Sequence, residues 1–95
     1  MIVVATIKQK FELGEICMMP TAKSILDETS VAEAIVKHSQ GIWGDLDFQC
    51  KEANEVALEY GERLFSLYRD VNGVIFWIIT EHDRSVTTIL LPEDY

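Results

Sequence analysis

The stretch that decides the fold is RLFSLYRDVNGVIFWIITEHDRSVTTILL, residues 63–91, in which two polar turns separate three apolar runs. The runs 63–69, 74–81 and 86–91 are rich in β-branched and aromatic residues. Such runs, joined by short turns, predict consecutive antiparallel strands that form a β-meander. The middle run is apolar on both faces, which predicts a position at the centre of the sheet.

Extended segments are also predicted near the N-terminus. Residues 2–7, IVVATI, favour a strand. Residues 11–18 favour a second strand, with a β-bulge at Gly14, where the apolar alternation changes phase. The predicted class is therefore α+β, with N-terminal strands, two or three short helices, and then a three-stranded antiparallel meander that carries the helices on one face.

Two helices are predicted between these segments and the middle of the chain. Thr21 is expected to cap a short helix over residues 22–27. Ser30 and Glu33 form the Ser-x-x-Glu capping box of a second helix, which Gly41 stops. Its apolar stripe consists of Val31, Ala34, Ile35 and His38, so we interpret this histidine as a structural residue.

A third helix is predicted over about residues 48–60, capped by Asp45 or Asp47 and closed by Gly61. Its predicted apolar stripe consists of Ala53, Val56, Ala57 and Tyr60. Acids are concentrated in and around this helix, at Asp45, Asp47, Glu52, Glu55, Glu59 and Glu62. These six residues form the predicted acidic face. It is either a partner-binding surface that imitates the phosphates of DNA or a solvated outer helix face.

The overall charge limits the classes of partner. The chain of 95 residues has 16 acids and 8 bases, which give a net charge of −8. This charge repels nucleic acid and anionic lipid, and it suits either solubility alone or a protein partner with a basic surface. No run of about 18 apolar residues or signal peptide is present, so the cytoplasm is the expected compartment and no membrane contact is expected.

The sequence shows no pattern of an active site, a metal site or a cofactor site. Cys17 and Cys50 are far apart and are expected to be free core thiols, and His38 and His82 lack ligand spacing. Neither histidine lies at a spacing that indicates a nucleophile and its base, so we expect no enzyme. Arg84 is expected to pair with Asp45 or Asp47, or else to grip an anionic ligand. Trp43 is expected at the edge of the core or at an interface.

Three motifs carry a resemblance to a known family. They are FELG at residues 11–14, WGDL at 43–46 and WIITEHDRSVTTILLPEDY at 77–95. In these motifs the chain resembles a family of short, uncharacterised bacterial proteins borne on plasmids and prophages. The resemblance implies one domain over residues 10–95 and an N-terminal extension over 1–9, which would form an edge strand or a strand that pairs between chains. It also implies a role, in binding or in structure, for Trp43, Gly44, Asp45, Asp83, Arg84, Thr87 and Thr88.

The charge and the resemblance together predict a small acidic, non-enzymatic interaction protein of a mobile genetic element. Its expected partner is a host or element-encoded protein, in the sharpest form a nucleic-acid-acting enzyme of host defence such as a restriction or CRISPR effector. An antitoxin-like regulatory partner is the alternative. The element order also resembles RelE-like ribonuclease toxins, but those need a basic surface to hold RNA. A homodimer is a further expectation, because helices cover only one face of the predicted sheet.

Overall fold

The computed structural model describes residues 9–95, so the predicted strand over residues 2–7 lies outside the described residues. The class is α+β, as predicted, and the three helices pack on one face of the sheet. The elements are β1 (Glu15–Met18), α1 (Pro20–Ile25), α2 (Glu28–Ser39), α3 (Phe48–Tyr60), β2 (Leu64–Arg69), β3 (Ile75–Thr80) and β4 (Val86–Leu90), followed by a 3-10 turn at Pro92–Asp94.

The sheet is mixed and has four strands, where the sequence predicted a three-stranded antiparallel one. Its order is β1-β4-β3-β2. Strands β2, β3 and β4 form the predicted antiparallel meander, and β3 is an inner strand. The addition is β1, which pairs in parallel with β4, with Glu15 opposite Val86 and Met18 opposite Ile89. Turn chemistry reveals only pairings between strands that are neighbours in sequence, and this pairing joins distant segments.

The predicted strand over residues 11–18 is shortened to its second half. Gly14 has φ 64° and lies against the β3–β4 turn, where an added Cβ would overlap the carbonyl group of Ser85. The change of phase that indicated a β-bulge instead marks the point where an irregular segment becomes β1.

The first two helices begin at residues that differ from the predicted ones. Pro20 opens α1, and Met19 at its N-cap makes no side-chain capping bond, so Thr21 does not cap it. Asp27 caps α2, where its carboxylate accepts from the backbone N–H and the hydroxyl of Ser30, both at 2.9 Å. The capping-box prediction is therefore wrong. Asp27, three residues before Ser30, is the N-cap, and it accepts from the Ser30 N–H that Glu33 was expected to satisfy.

The third helix has the predicted bounds and caps. The Asp47 carboxylate accepts from Cys50 N–H at 2.8 Å, and Gly61 ends the helix with φ 69°. Of the predicted stripe only Ala57 is buried, because the helix turns Asn54 and Ala57 toward the sheet. Among the described residues, Ala53, Val56 and Tyr60 are exposed instead.

Two clusters of buried side chains lie between the helices and the sheet. The larger joins α1 and α2 to the sheet through Ala22, Leu26, Val31, Ala34, Tyr68, Phe76, Ile78, Ile89 and Leu91. The smaller lies under α3 and contains Trp43, Ala57 and Leu64, with Phe11, Leu46 and Leu58 packed against it. The α2 stripe is confirmed, since Val31, Ala34 and His38 are buried and Ile35 is half-buried.

The opposite face of the sheet is partly covered by the C-terminal residues. The Trp77 ring packs edge-on between Phe65, at 4.9 Å, and Tyr95, at 5.4 Å. Arg63 donates to the Tyr95 hydroxyl at 2.8 Å and holds it in place. Both cysteines are free but exposed, so the expectation that they are core thiols is wrong.

Candidate functional site

A chain of hydrogen bonds crosses the interior from α2 to the segment before β1. His38 Nδ1 lies 2.5 Å from the Ser66 hydroxyl, and Nε2 lies 2.9 Å from the Thr80 hydroxyl. Thr80 is 2.7 Å from Thr87, which donates to the carbonyl oxygen of Leu13 at 2.7 Å. This series of hydrogen bonds therefore connects α2 to the strands β2, β3 and β4 and to the N-terminal segment.

The Leu13 carbonyl, as the last acceptor, fixes the direction of the hydrogen bonds from Thr87 back to His38 Nε2. Because Thr87 gives its hydrogen to a backbone carbonyl, it must accept from Thr80. Thr80 in turn accepts from His38, so the ring carries its proton on Nε2. In the neutral ring the remaining nitrogen, Nδ1, accepts from Ser66. A neutral imidazole with its proton on Nε2 therefore satisfies all four bonds.

Burial keeps this imidazole neutral. His38 is completely buried, and this burial, with a smaller contribution from the Arg84 cation, lowers the pKa of His38 to about 3. Both of its ring nitrogens are engaged by side chains of the fold. The geometry confirms the structural interpretation of His38.

Aromatic rings and a cation enclose the histidine. Phe11 contacts the His38 ring edge-on at 5.2 Å and stacks on Trp43 at 6.1 Å. Trp43 contacts the same imidazole at 5.7 Å, and the Arg84 guanidinium lies 5.7 Å from the centre of the Phe11 ring. Three of the motif residues thus lie near His38: Trp43 contacts its ring, Arg84 lies over the half-buried Phe11, and Thr87 is linked to the ring through Thr80.

Arg84 binds backbone carbonyl groups, not a carboxylate. Its guanidinium donates to the backbone carbonyl oxygens of Glu62 at 2.5 Å, Glu81 at 3.1 Å and Ala57 at 3.2 Å. It therefore caps the C-terminal end of α3, where carbonyl groups lack helical partners and a cation is favourable. The expected pair with Asp45 or Asp47 is wrong.

The other motif residues serve separate turns and edges. Asp45 pairs with Arg69 at 3.4 Å, and Asp83 accepts from the Ser85 hydroxyl at 2.6 Å within its own turn. Thr88 is half-buried and faces the side of the sheet opposite the helices. Gly44 forms a bridge with Leu67 at the edge of β2. These positions do not gather into one binding site.

The acidic face divides into engaged and free residues. Asp45 is paired with Arg69, Asp47 caps α3, and Glu55 accepts from the Trp43 indole at 2.8 Å. Within residues 9–95, no ion pair or side-chain hydrogen bond engages Glu52, Glu59 or Glu62, and all three are exposed. Three of the six predicted residues are therefore without a side-chain partner among the described residues, and all six are exposed.

Exposed apolar side chains lie among the free acids. Phe48 is 74% exposed, Val56 49% and Tyr60 71%. Residues four apart lie on the same side of a helix, so Phe48, Glu52, Val56, Glu59 and Tyr60 share the side of α3 that faces away from the sheet. We call these five residues the α3 outer face. The signal for this face in the sequence was Asn54. When the Asn54 side chain takes the buried side of the helix, Val56 and Tyr60 turn toward solvent.

The described residues contain no cluster of three or more His, Cys, Asp or Glu side chains that would hold a metal ion. None of the helices in residues 9–95 has the length and apolar character needed to cross a membrane. Comparison of the chain with protein-family models, with curated proteins and with solved structures returned no match.

Proposed function

We propose that the protein is a small, non-enzymatic interaction protein of a mobile genetic element, and that it docks on its partner through the α3 outer face. The observation that carries the proposal is the exposure of Phe48 and Tyr60, at 74% and 71%, beside the free carboxylates of Glu52 and Glu59. Aromatic side chains are enriched at the centres of protein interfaces. The partner therefore has an apolar recess bordered by Lys or Arg.

The charge favours a protein over a nucleic acid as this partner. The net charge of −8 opposes approach to a phosphate backbone, and the α3 outer face contains no Lys or Arg. A basic surface on a protein is attracted by the same charge, which speeds association.

The proposed partner is an enzyme that acts on nucleic acid, of the kind found in host defence. Such enzymes hold the phosphate backbone in a channel lined with Lys and Arg. Glu52 and Glu59 are separated by about 10 Å along the helix axis, which is close to three phosphate steps of about 3.4 Å on one DNA strand. The family resemblance supports the setting, since mobile elements meet such enzymes when they enter a host.

A basic toxin is the second candidate partner, and the exposed Phe48 and Tyr60 favour it. A phosphate channel offers few apolar pockets, whereas an antitoxin buries apolar side chains against its toxin. In this alternative the α3 outer face neutralises a toxin whose gene lies beside that of the present protein.

Affinity capture from host lysate, followed by an activity assay of the captured protein, tests the proposal. The wild-type chain is expected to recover a nucleic-acid-acting enzyme and to inhibit its cleavage of DNA, more strongly at 50 mM salt than at 500 mM. The double variants Glu52→Gln/Glu59→Gln and Phe48→Ala/Tyr60→Ala are expected to lose capture. The matched control is Val71→Ala, which trims an exposed apolar side chain in the β2–β3 turn.

Three results would contradict this assignment in different ways. Capture of a small basic toxin encoded beside the gene supports the antitoxin-like alternative. Inhibition that survives both double variants would remove the α3 outer face from the mechanism. Cleavage of RNA by the purified chain, abolished in Arg84→Ala, would replace the interaction protein with a ribonuclease.

A further inference from the structure

The two edges of the sheet differ in how their backbone groups are satisfied. At the β2 edge, the Asn54 side chain accepts from Phe65 N–H at 3.1 Å and donates to its carbonyl oxygen at 2.6 Å. Leu67 is engaged in the same way, because its N–H donates to Trp43 at 3.2 Å and its oxygen accepts from Asp45 N–H at 2.8 Å. The chain thus closes this edge with its own groups.

The β1 edge is open within residues 9–95. Glu15 N–H donates to Ser85 and Met19 N–H donates to Ile89, both at 2.9 Å. Because successive backbone groups of a strand point in opposite directions, Ile16 and Met18 direct their N–H and carbonyl groups away from β4. No group of the described residues pairs with these four, and the Ile16 side chain is 48% exposed.

We propose that β1 pairs with β1 of a second copy of this chain, antiparallel and across a two-fold axis at Cys17, so that two sheets become one of eight strands. This register places Ile16 opposite Met18 of the second copy in a hydrogen-bonded pair, and it repeats that pair by symmetry. The outward N–H groups of Ile16 and Met18 then donate to the outward carbonyl oxygens of Met18 and Ile16 of the second copy, so all four groups are satisfied.

Neighbouring registers are worse for reasons visible in the chain. A shift centred on Ile16 brings Met18 opposite Gly14, whose φ of 64° is not a strand conformation. A shift centred on Met18 brings Ile16 opposite Pro20, which has no N–H. The Cys17 register also keeps like charges apart, because Glu15 faces Met19 of the second copy.

The interface is small, so the dimer forms at high protein concentration. Two strands of four residues bury less than the roughly 1,200 Å² of a standard stable interface. Each copy also carries a charge of −8, so added salt screens the mutual repulsion and strengthens the dimer. Docking on a basic partner through α3 has the opposite salt dependence, which separates the two associations.

Sedimentation of the purified full chain across a range of concentrations and salt tests the proposal. Wild type is expected to approach twice the mass of one chain, and Ile16→Lys to remain a monomer even though it lowers the charge that opposes association. The matched control Val56→Lys makes the same kind of change on α3, at a residue 49% exposed, and is expected to dimerise as wild type does. A wild-type chain that stays monomeric at millimolar concentration overturns the proposal.

A disulfide test reports the register without depending on the lysine variant. Residues in a non-hydrogen-bonded antiparallel pair have Cα atoms about 4.5 Å apart, within the range for a disulfide. In a Cys50→Ser background, oxidised glutathione is expected to join two Cys17 thiols, which lose two protons and two electrons as glutathione disulfide is reduced to two thiols. The comparison is the single variant Cys17→Ser, which keeps Cys50. If the Cys50→Ser protein cross-links no faster than Cys17→Ser does, the register is overturned. Pairing of residues 2–7 with β1 of the same chain would block the cross-link and would also overturn it.

Discussion

At Gly44 the backbone comes so close to β2 that a side chain does not fit. The residue has φ 77°, and an added Cβ would overlap the Leu67 carbonyl oxygen and lie 2.9 Å from its carbon. The close approach lets Trp43 and Asp45 on either side bond to Leu67. One missing side chain therefore permits both the closed β2 edge and the placement of Trp43 over His38.

Replacement of Gly44 by alanine is expected to lower the free energy of unfolding by about 3 kcal/mol or more, because backbone strain and a steric clash add together. Gly73→Ala is the matched control: its φ is 82°, but open space surrounds the position. It is expected to cost only about 1–2 kcal/mol, from the left-handed conformation alone. Urea unfolding measures both, and equal losses would show that the close approach at Gly44 has no energetic role.

His38 is expected to make the fold sensitive to mild acid. The ring has a pKa of about 3 when folded, against its ordinary value of 6.5, so the unfolded chain binds the proton more readily. The contribution of the neutral His38 ring to the free energy of unfolding is therefore complete above pH 6.5 and is lost as the pH falls toward 3. Below pH 6.5 the loss approaches about 1.4 kcal/mol per pH unit.

Urea unfolding of wild type and His38→Gln between pH 7 and pH 5 isolates this effect, because most carboxylates titrate lower. The variant is expected to be less stable at pH 7 but to lose less stability on acidification. Parallel curves for the two proteins would contradict the assignment. The ring ¹⁵N shifts of wild type are expected to show the Nε2–H tautomer, unchanged down to pH 4.

At the scale of elements, α3 is held to the sheet edge by the side-chain amide of Asn54. This amide replaces the backbone of a neighbouring strand, since it both donates to and accepts from Phe65. Asn54→Ala leaves two backbone groups unpaired at a partly buried position, and it is expected to cost about 2–3 kcal/mol. Gln49→Ala, on the exposed side of the same helix, is expected to change stability by less than about 0.5 kcal/mol. A thermal melt that showed similar costs for both would contradict the role of Asn54.

Sequence patterns predicted the existence of these elements better than the orientation of α3. The apolar stripe of α2 was correct, because its buried positions are occupied by apolar residues and one satisfied histidine. The α3 stripe was wrong because a buried amide at residue 54 outweighs the burial of Val56 and Tyr60. The acids of the α3 outer face were recognised from their concentration in the sequence, but Tyr60 was assigned to the buried stripe and was not expected beside them.

At the scale of the whole molecule, the excess of acids works against folding. Glu59 lies near the C-terminal end of α3, where the helix dipole disfavours an anion, and that last turn contains no basic residue. Glu59→Gln is expected to raise the free energy of unfolding by a few tenths of a kcal/mol at low salt. Glu28→Gln, in the first turn of α2, is expected to lower it slightly.

Thermal unfolding at low and high salt checks both signs, and both effects are expected to shrink as salt screens the charges. A loss of stability in Glu59→Gln would mean that this carboxylate has a structural partner. A gain, together with lost partner capture, would mean that the acid is retained for binding at the expense of stability.

The long-range pairings were the part of the fold that sequence patterns did not predict. Turn residues specify neighbours along the chain, which is why the meander was correct. The parallel pairing of β1 with β4 depends on tertiary packing, as does the choice of carbonyl groups by Arg84. The scattering of the motif residues has the same origin, since Thr87 faces the interior and Thr88 the opposite side of the sheet.

The parallel pairing of β1 with β4 has a consequence for biosynthesis. Glu15 finds its partner, Val86, only after the ribosome has added about seventy further residues. Until then the nascent chain holds an N-terminal segment without its partner strand, a condition that favours aggregation and capture by chaperones. A translation product that stops short of residue 86 therefore cannot complete the sheet, and its fate depends on the quality-control machinery of the cell.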